Sequence, residues 1–377
     1  MSEKREIKSR KKAFKKASRK AVRPWKGLAL LTGPLCAIFV ALAICLNLFD
    51  NTVALFLGGT FWQLENEDVN AQYFTEDYTT EEREIRGQQL VYQVEAEGAA
   101  LLMNENTALP LNKGANVSLF STSSVSLIYG GTGSANVDTS KADNLKTALE
   151  KSGMAVNPAL WDFYLTGDGA QYTRDGGGYT SGAKVGEAPW ASYTDDVLAS
   201  VQQYGDAAIV TLSRVGGEGV DLTFQEYNYL ALDENEKSML AGIKALKDAG
   251  KIDRIIVLLN TSNPLQVDFL KNNEYDIDAV LWIGGVGVSG INAVADIIAG
   301  AVNPSGSLVD TYCYDNFSSP AMQNFVPVVY EGYEKGIIPD VAETYMIYQE
   351  GIYVGYKYYE TRYEDYVMTT GNAGSYD

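Results

Sequence analysis

The chain has no histidine in its 377 residues. That removes Ser-His-Asp and Cys-His nucleophilic sites and histidine-ligated metals. Proton transfer must then fall to Glu, Asp, Tyr or Lys. Cysteine is nearly absent too: there are only Cys36, Cys45 and Cys313. The first two sit in an apolar N-terminal stretch and the third stands alone, so neither a disulfide framework nor a CxxC zinc site is present. Cys313 reads as a small buried hydrophobe. No metal and no cofactor are expected. A phosphate fingerprint is missing as well. Gly130-Gly131-Thr132-Gly133-Ser134 has neither GxGxxG nor GK[ST] spacing and no basic residue. It reads as a flexible loop at a strand's carboxyl end, and a nucleotide enzyme of the Rossmann type is disfavoured.

Positive charge is scarce outside one segment. Residues 1–26 hold twelve Lys and Arg against Glu3 and Glu6, a surplus of ten. The whole chain is at −18, so the remaining residues carry a net −28. A strongly acidic body argues against nucleic acid as a partner, because such binding needs basic faces. Residues 27–49 then lack charge altogether, between Lys26 and Asp50. That is long enough for a membrane-spanning helix, which needs about 20 residues. The basic block before it is expected to stay cytoplasmic by the positive-inside rule. Trp25 falls at interface depth. A cleaved signal peptide is the competing reading, but the basic and apolar regions are long and no small-x-small cleavage site follows. The expectation is a single-pass signal anchor at the cell membrane with the body outside the cytoplasm. Asn116-Val117-Ser118, Asn260-Thr261-Ser262 and Asn316-Phe317-Ser318 have the form of glycosylation sequons.

The domain reading is a basic cytoplasmic tail over 1–26, an anchor over 27–49, an acidic polar linker over 50–84, an α/β domain over 85–365 and a connection over 366–377. Within the body, Gln88 to Asn104 reads as a helix stopped by Pro110. Val117 to Phe120, Ala207 to Leu212, Arg254 to Leu259 and Ala279 to Ile283 are short apolar runs of the kind buried on both faces in parallel sheets. Helical patterns lie between them, at 144–153, 195–204, 224–249 and from 287 to Ala301. This alternation predicts a doubly wound, mostly parallel sheet sandwiched by helices. Ligands of such sheets sit beyond the carboxyl ends of the strands. Residues 165–190 read as a long Gly- and Tyr-rich insertion. Trp190 at its end suits either stacking on a sugar ring or packing.

The most informative stretch follows Ala207 to Leu212. The strand gives way to Ser213-Arg214-Val215-Gly216-Gly217-Glu218-Gly219-Val220-Asp221. Glycines let the backbone fold tightly and let other groups approach. A Glu between two of them is placed to reach outward as a proton donor. The alternative is a solvated loop residue.

Ser213-Arg214 with Gly217-Glu218-Gly219 and Asp221 resembles the acid/base loop of glycoside hydrolase family 3, the β-glucosidase-like enzymes. Glu97 to Asn106 with Ala108-Leu109-Pro110-Leu111 resembles the start of that family's α/β sandwich domain. Asn303-Pro304-Ser305-Gly306 resembles its NPSG turn, and Tyr348 to Tyr359 its EGIYVGYRYY segment. The four segments occur in the family's order and cover most of residues 70–365. The resemblance implies Glu218 as catalytic acid/base, with Arg214, Asp221 and Trp190 as substrate-binding residues. It implies a retaining exo-acting hydrolase that takes terminal sugars from an oligosaccharide or glycoside.

Three features depart from the family. Glycoside hydrolysis normally uses two carboxylates. The family's nucleophile, an Asp in an SDW-type motif on a (β/α)₈ barrel, has no counterpart here, nor has its Lys-His sugar-binding pair. Leu222 also stands where the family often has Arg. The expectation is the acid/base-carrying half of an anchored enzyme whose domain order is reversed, with the barrel after Asp377 as the missing partner. The alternative is a non-catalytic glycan-binding module or an inactive fragment.

Overall fold

The computed structural model describes residues 2–49, 78–175, 183–216, 229–324, 328–329 and 344–366. Glu218, Asp221 and Leu222 fall outside these residues. The chain divides into two compact units, residues 1–77 and 78–377.

In the first unit, helix α1 runs from Ser2 to Leu48, so the basic block and the apolar stretch form one helix. Leu28–Leu48, 21 residues with mean hydropathy 2.5, meets the length and composition of a membrane span.

The second unit opens with helix α2 (Thr80–Gly98). Its start lies inside the stretch expected as linker. Thr79 and Glu82 form a reciprocal capping box, each side chain bonded to the other's backbone N–H. The helix stops earlier than the sequence pattern implies. Ala99 is extended, and Ala100–Asn104 is strand β1 rather than a last helical turn. An apolar run such as Ala100 to Met103 fits helix and strand equally by pattern. Gly306 of the NPSG turn fixes the junction: a Cβ there would lie 2.1 Å from the Gly98 carbonyl oxygen.

The elements that follow are strand β2 (Asn116–Phe120), helix α3 (Thr122–Val125), helix α4 (Leu145–Lys151), strand β3 (Ala155–Val156) and helix α5 (Pro158–Leu165). Next come helix α6 (Asp195–Ser200), strand β4 (Ala207–Arg214), helix α7 (Glu234–Asp248), strand β5 (Ile255–Thr261), strand β6 (Ala279–Trp282) and helix α8 (Ile291–Ile298). Helix α7 starts later than the periodicity implies, because Asp233 and Glu236 form a second capping box at that point. Helix α9 (Pro320–Asn324), the pair β7 (Val328–Val329) and β8 (Thr344–Tyr345), and helix α10 (Tyr356–Tyr366) complete the described chain.

The main sheet has the order β1-β6-β5-β4-β2-β3, with β3, β2, β4, β5 and β6 parallel and β1 antiparallel at one edge. Every residue of β4 and β5 is buried. Their side chains alternate between two cores. Ile209, Ile256 and Leu258 face α4 and α8, whereas Val210, Leu212, Val257 and Leu259 face α5 and α7. The doubly wound, mostly parallel architecture is therefore as expected. Without its antiparallel edge the sheet is a five-stranded doubly wound array. Its order reverses between β2 and β4, and ligands of such folds sit beyond the carboxyl ends of the strands at that point.

Three side chains are placed differently from expectation. Asn260 is fully buried and Asn316 is 7% exposed, so neither sequon presents its amide to solvent. Cys313 is only half-buried, with its thiol 3.2 Å from Asn316 Oδ1.

Candidate functional site

The switch point puts the end of β2 next to the end of β4. Strand β2 leads into Ser121, whose φ is 86°, a left-handed value unusual for a residue with a side chain. The turn starts α3 and leaves the Thr122 amide facing Glu187. The Glu187 carboxyl is 2% exposed. It accepts from Ser121 Oγ at 2.6 Å, from the Thr122 amide at 3.1 Å and from its neighbour Ala188's amide at 2.9 Å. Burial pushes its pKa up to about 8, against the pull of these donors. The Ser121 amide in turn donates to Tyr164 Oη at 2.7 Å.

Glu187 belongs to the insertion at 165–190, whose described part is more regular than the composition implies. Asp175 and Lys184 pair across an antiparallel bridge. Gly186, at φ 69°, lies so close to Thr173 that a Cβ would stand 2.1 Å from the Thr173 carbonyl oxygen. Arg174, beside this bridge, reaches Ser123 Oγ at 3.1 Å and the Ser126 carbonyl. On the other side of the bridge Val185 packs against Tyr229 and Leu230.

Arg214, the last residue of β4, is fully buried. Its guanidinium meets Glu236 on α7 in a bidentate pair, with NH1 to Oε1 at 2.8 Å and NH2 to Oε2 at 2.7 Å. The remaining donors go to the carbonyls of Ser213, Tyr229 and Ala231. The Val215 amide donates to Tyr229 Oη at 2.6 Å. One side chain at the entry to residues 217–228 therefore holds the backbone at their exit. All of the guanidinium's bonds shown here go to protein partners, which stands against a direct sugar contact and makes Arg214 a brace between the two ends of the loop.

Trp190 packs against α7. Its indole lies over Gly242 of α7, where a Cβ would come within 2.2 Å of the ring. Tyr193 covers it at 4.7 Å between centroids and Phe120 at 6.5 Å. Trp190 stays partly exposed in this packing. Glu218 and Asp221 lie outside the described residues.

Asn260 at the end of β5 is legible in sequence only as a sequon, and it is a hub. Its Oδ1 accepts from the Ile128 amide at 2.6 Å and from Ser213 Oγ at 2.9 Å. Its Nδ2 donates to the carbonyls of Ile128 and Gly284 at 2.9 and 2.6 Å. One amide thus ties the ends of β4, β5 and β6 to the loop after α3. Asn263 lies against Gly216, where a Cβ would be 2.3 Å from its Oδ1. Only glycine permits that approach at the foot of the loop. A buried Asn followed two residues later by Thr or Ser carries no local signal that tells a hub from a sequon.

A neutral Glu187 carboxyl has a consequence for pH. Its folded pKa is raised from 4.5 to about 8, so the native state binds the proton more tightly than the unfolded state does. The stability this contributes is complete below about pH 4.5 and is lost as pH rises through 8. Chemical denaturation at pH 5.5 and 8.5 is expected to show a fall of a few kcal/mol, since a proton released on unfolding costs about 1.4 kcal/mol for each step of one in pH. Glu187→Gln should shrink that fall. An equal fall in both proteins would place the proton elsewhere.

The profile of the Glycosyl hydrolase family 3 C-terminal domain matches residues 99–356, more than half of the chain, and the chain belongs to that family. It is 29% identical over 280 residues to a beta-glucosidase of Ruminococcus albus, covering 73% of this chain and 26% of the relative. It is 25% identical over 332 residues to thermostable beta-glucosidase B of Acetivibrio thermocellus, covering 88% and 37%. Among solved structures, a beta-glucosidase from Paenibacillus barengoltzii superposes with a TM-score of 0.59 at 29% identity, over 72% of this chain and 28% of that one. Beta-glucosidase 3B from Thermotoga neapolitana in complex with glucose gives 0.59 at 25% identity, over 74% and 37%. The chain thus spans between 26% and 37% of the length of these relatives.

Proposed function

We propose that this chain is the acid/base-carrying part of a retaining, β-glucosidase-like glycoside hydrolase that removes terminal sugars. Glu218 protonates the glycosidic oxygen and then deprotonates the attacking water. The observation that carries this reading is the Ser213-Arg214-…-Gly217-Glu218-Gly219 segment leaving β4 at the switch point, in a chain of this family. Asp221 is proposed to contact the substrate beside it. The nucleophilic carboxylate is proposed to lie in a further domain, since the chain spans at most 37% of these relatives. A glycan-binding module is the competing reading. Sequencing past Asp377 separates the two: a barrel with an Asp nucleophile supports hydrolysis, and a stop codon at that position supports the module.

We also propose that Leu28–Leu48 anchors the protein with its body outside the cytoplasm. The basic block on its N-terminal side supports that orientation. Protease added to intact cells is expected to digest the body and spare an N-terminal tag. Protection of the body would refute the orientation.

A further inference from the structure

The first half of α1 has a feature that an anchor alone does not need. It is helical from Ser2 through the junction with the apolar span. At about 100° per residue, ten of its twelve Lys and Arg fall within one arc of about 140°. The exceptions are Arg10, which pairs with Glu6 at 3.1 Å, and Lys20. Val22 is the one large apolar residue on the basic side. Ile7, Phe14, Ala21 and Leu28 recur every seven residues on the other side, with Trp25 alongside them. Ile7, Phe14 and Trp25 are 50%, 78% and 69% exposed.

We propose that residues 4–26 form an interfacial helix that lies on an anionic lipid surface, with the Ile7–Phe14–Trp25 stripe in the headgroup–acyl boundary and the basic face against lipid phosphates. Two observations select this occupant. The charge on the basic face is complementary to anionic headgroups, which attract basic segments beside a membrane span. The helix carries this stripe, interrupted by Arg10, on into Leu28–Leu48, so the surface it would enter is the one the proposed anchor crosses, and the inference rests on that reading. Nucleic acid would satisfy the charge and leave the stripe in water. Pro24 and Gly27 stand at the join; Pro24 cannot donate a backbone hydrogen bond to the preceding turn, and the axis can bend there. A lipid-bound helix of this kind combines an apolar face with Lys and Arg on the polar side.

The test uses the full chain reconstituted into lipid nanodiscs of neutral phosphatidylcholine or of phosphatidylcholine with one-third phosphatidylglycerol. Trypsin cleavage within residues 4–26 is expected to be at least about tenfold slower on the anionic discs, since each basic residue near such a surface adds attraction. The protection should fade at about 1 M salt, where the Debye length is about 3 Å. The double variant Ile7→Gln/Phe14→Gln keeps every positive charge and changes only exposed residues. It is expected to lose most of the protection. Equal cleavage on both discs overturns the proposal, as does protection undiminished in the double variant. Failure to associate with either disc overturns it, and so does stronger protection by single-stranded RNA on neutral discs.

Discussion

Glu218→Ala, measured in the protein that also carries the nucleophile, is expected to slow glycosides with poor leaving groups by about 10²–10⁴-fold, the usual worth of general acid help. Acidic phenol leaving groups need no proton and should keep a fast first step. Hydrolysis of the glycosyl-enzyme then limits, because no base activates water, and azide should rescue that step. The control is Asp233→Ala. Asp233 caps α7, its carboxylate accepting from the Glu236 amide at 2.8 Å, so its loss should cost about 1 kcal/mol of stability and leave the leaving-group dependence unchanged. A Glu218→Ala enzyme that slows all leaving groups alike and ignores azide would mark Glu218 as an ordinary loop residue.

Glu236→Ala is expected to destabilise the domain by about 3–5 kcal/mol, because it strands the fully buried Arg214 guanidinium without its carboxylate. The double variant Arg214→Met/Glu236→Leu removes both charges and should recover most of that loss, since apolar replacements of a buried pair are often neutral. Hydrogen exchange separates stability from footing. Amides at 229–231 should exchange faster in the double variant even when its global stability is restored, because the carbonyls of Tyr229 and Ala231 have lost their donor. A single variant that unfolds at the same denaturant concentration as the parent would mean that the pair is dispensable.

Much of the fold is legible because the central strands are dense apolar runs with glycine-bearing ends. Ala207 to Leu212 and Ile255 to Leu259 can only be buried on both faces. Boundaries are less legible where a local pattern fits two structures. Ala100 to Met103 continues the helical pattern before it, and the Gly306 contact that stops α2 comes from more than two hundred residues away. The start of α7 is readable in principle, from Asp233 and Glu236 at capping-box spacing, but the helical composition before it obscures that signal. At the candidate site, the loop motif is visible and its supports are not. The partners Arg214 and Glu236 are separated by 22 residues, and each resembles an ordinary charged residue in sequence. The packing of Trp190 is hidden because its partner is a glycine, a residue whose lack of a side chain says nothing about what lies on it.

The guanidinium of Arg214 fastens Ser213 at one foot of the loop and Tyr229 with Ala231 at the other. The two ends of residues 217–228 are thereby pinned to each other as well as to the sheet. Doubling the length of a flexible loop costs only about 0.6 kcal/mol in closure entropy. A change of length within residues 217–228 is therefore expected to cost little stability, because Arg214 already holds the two ends together.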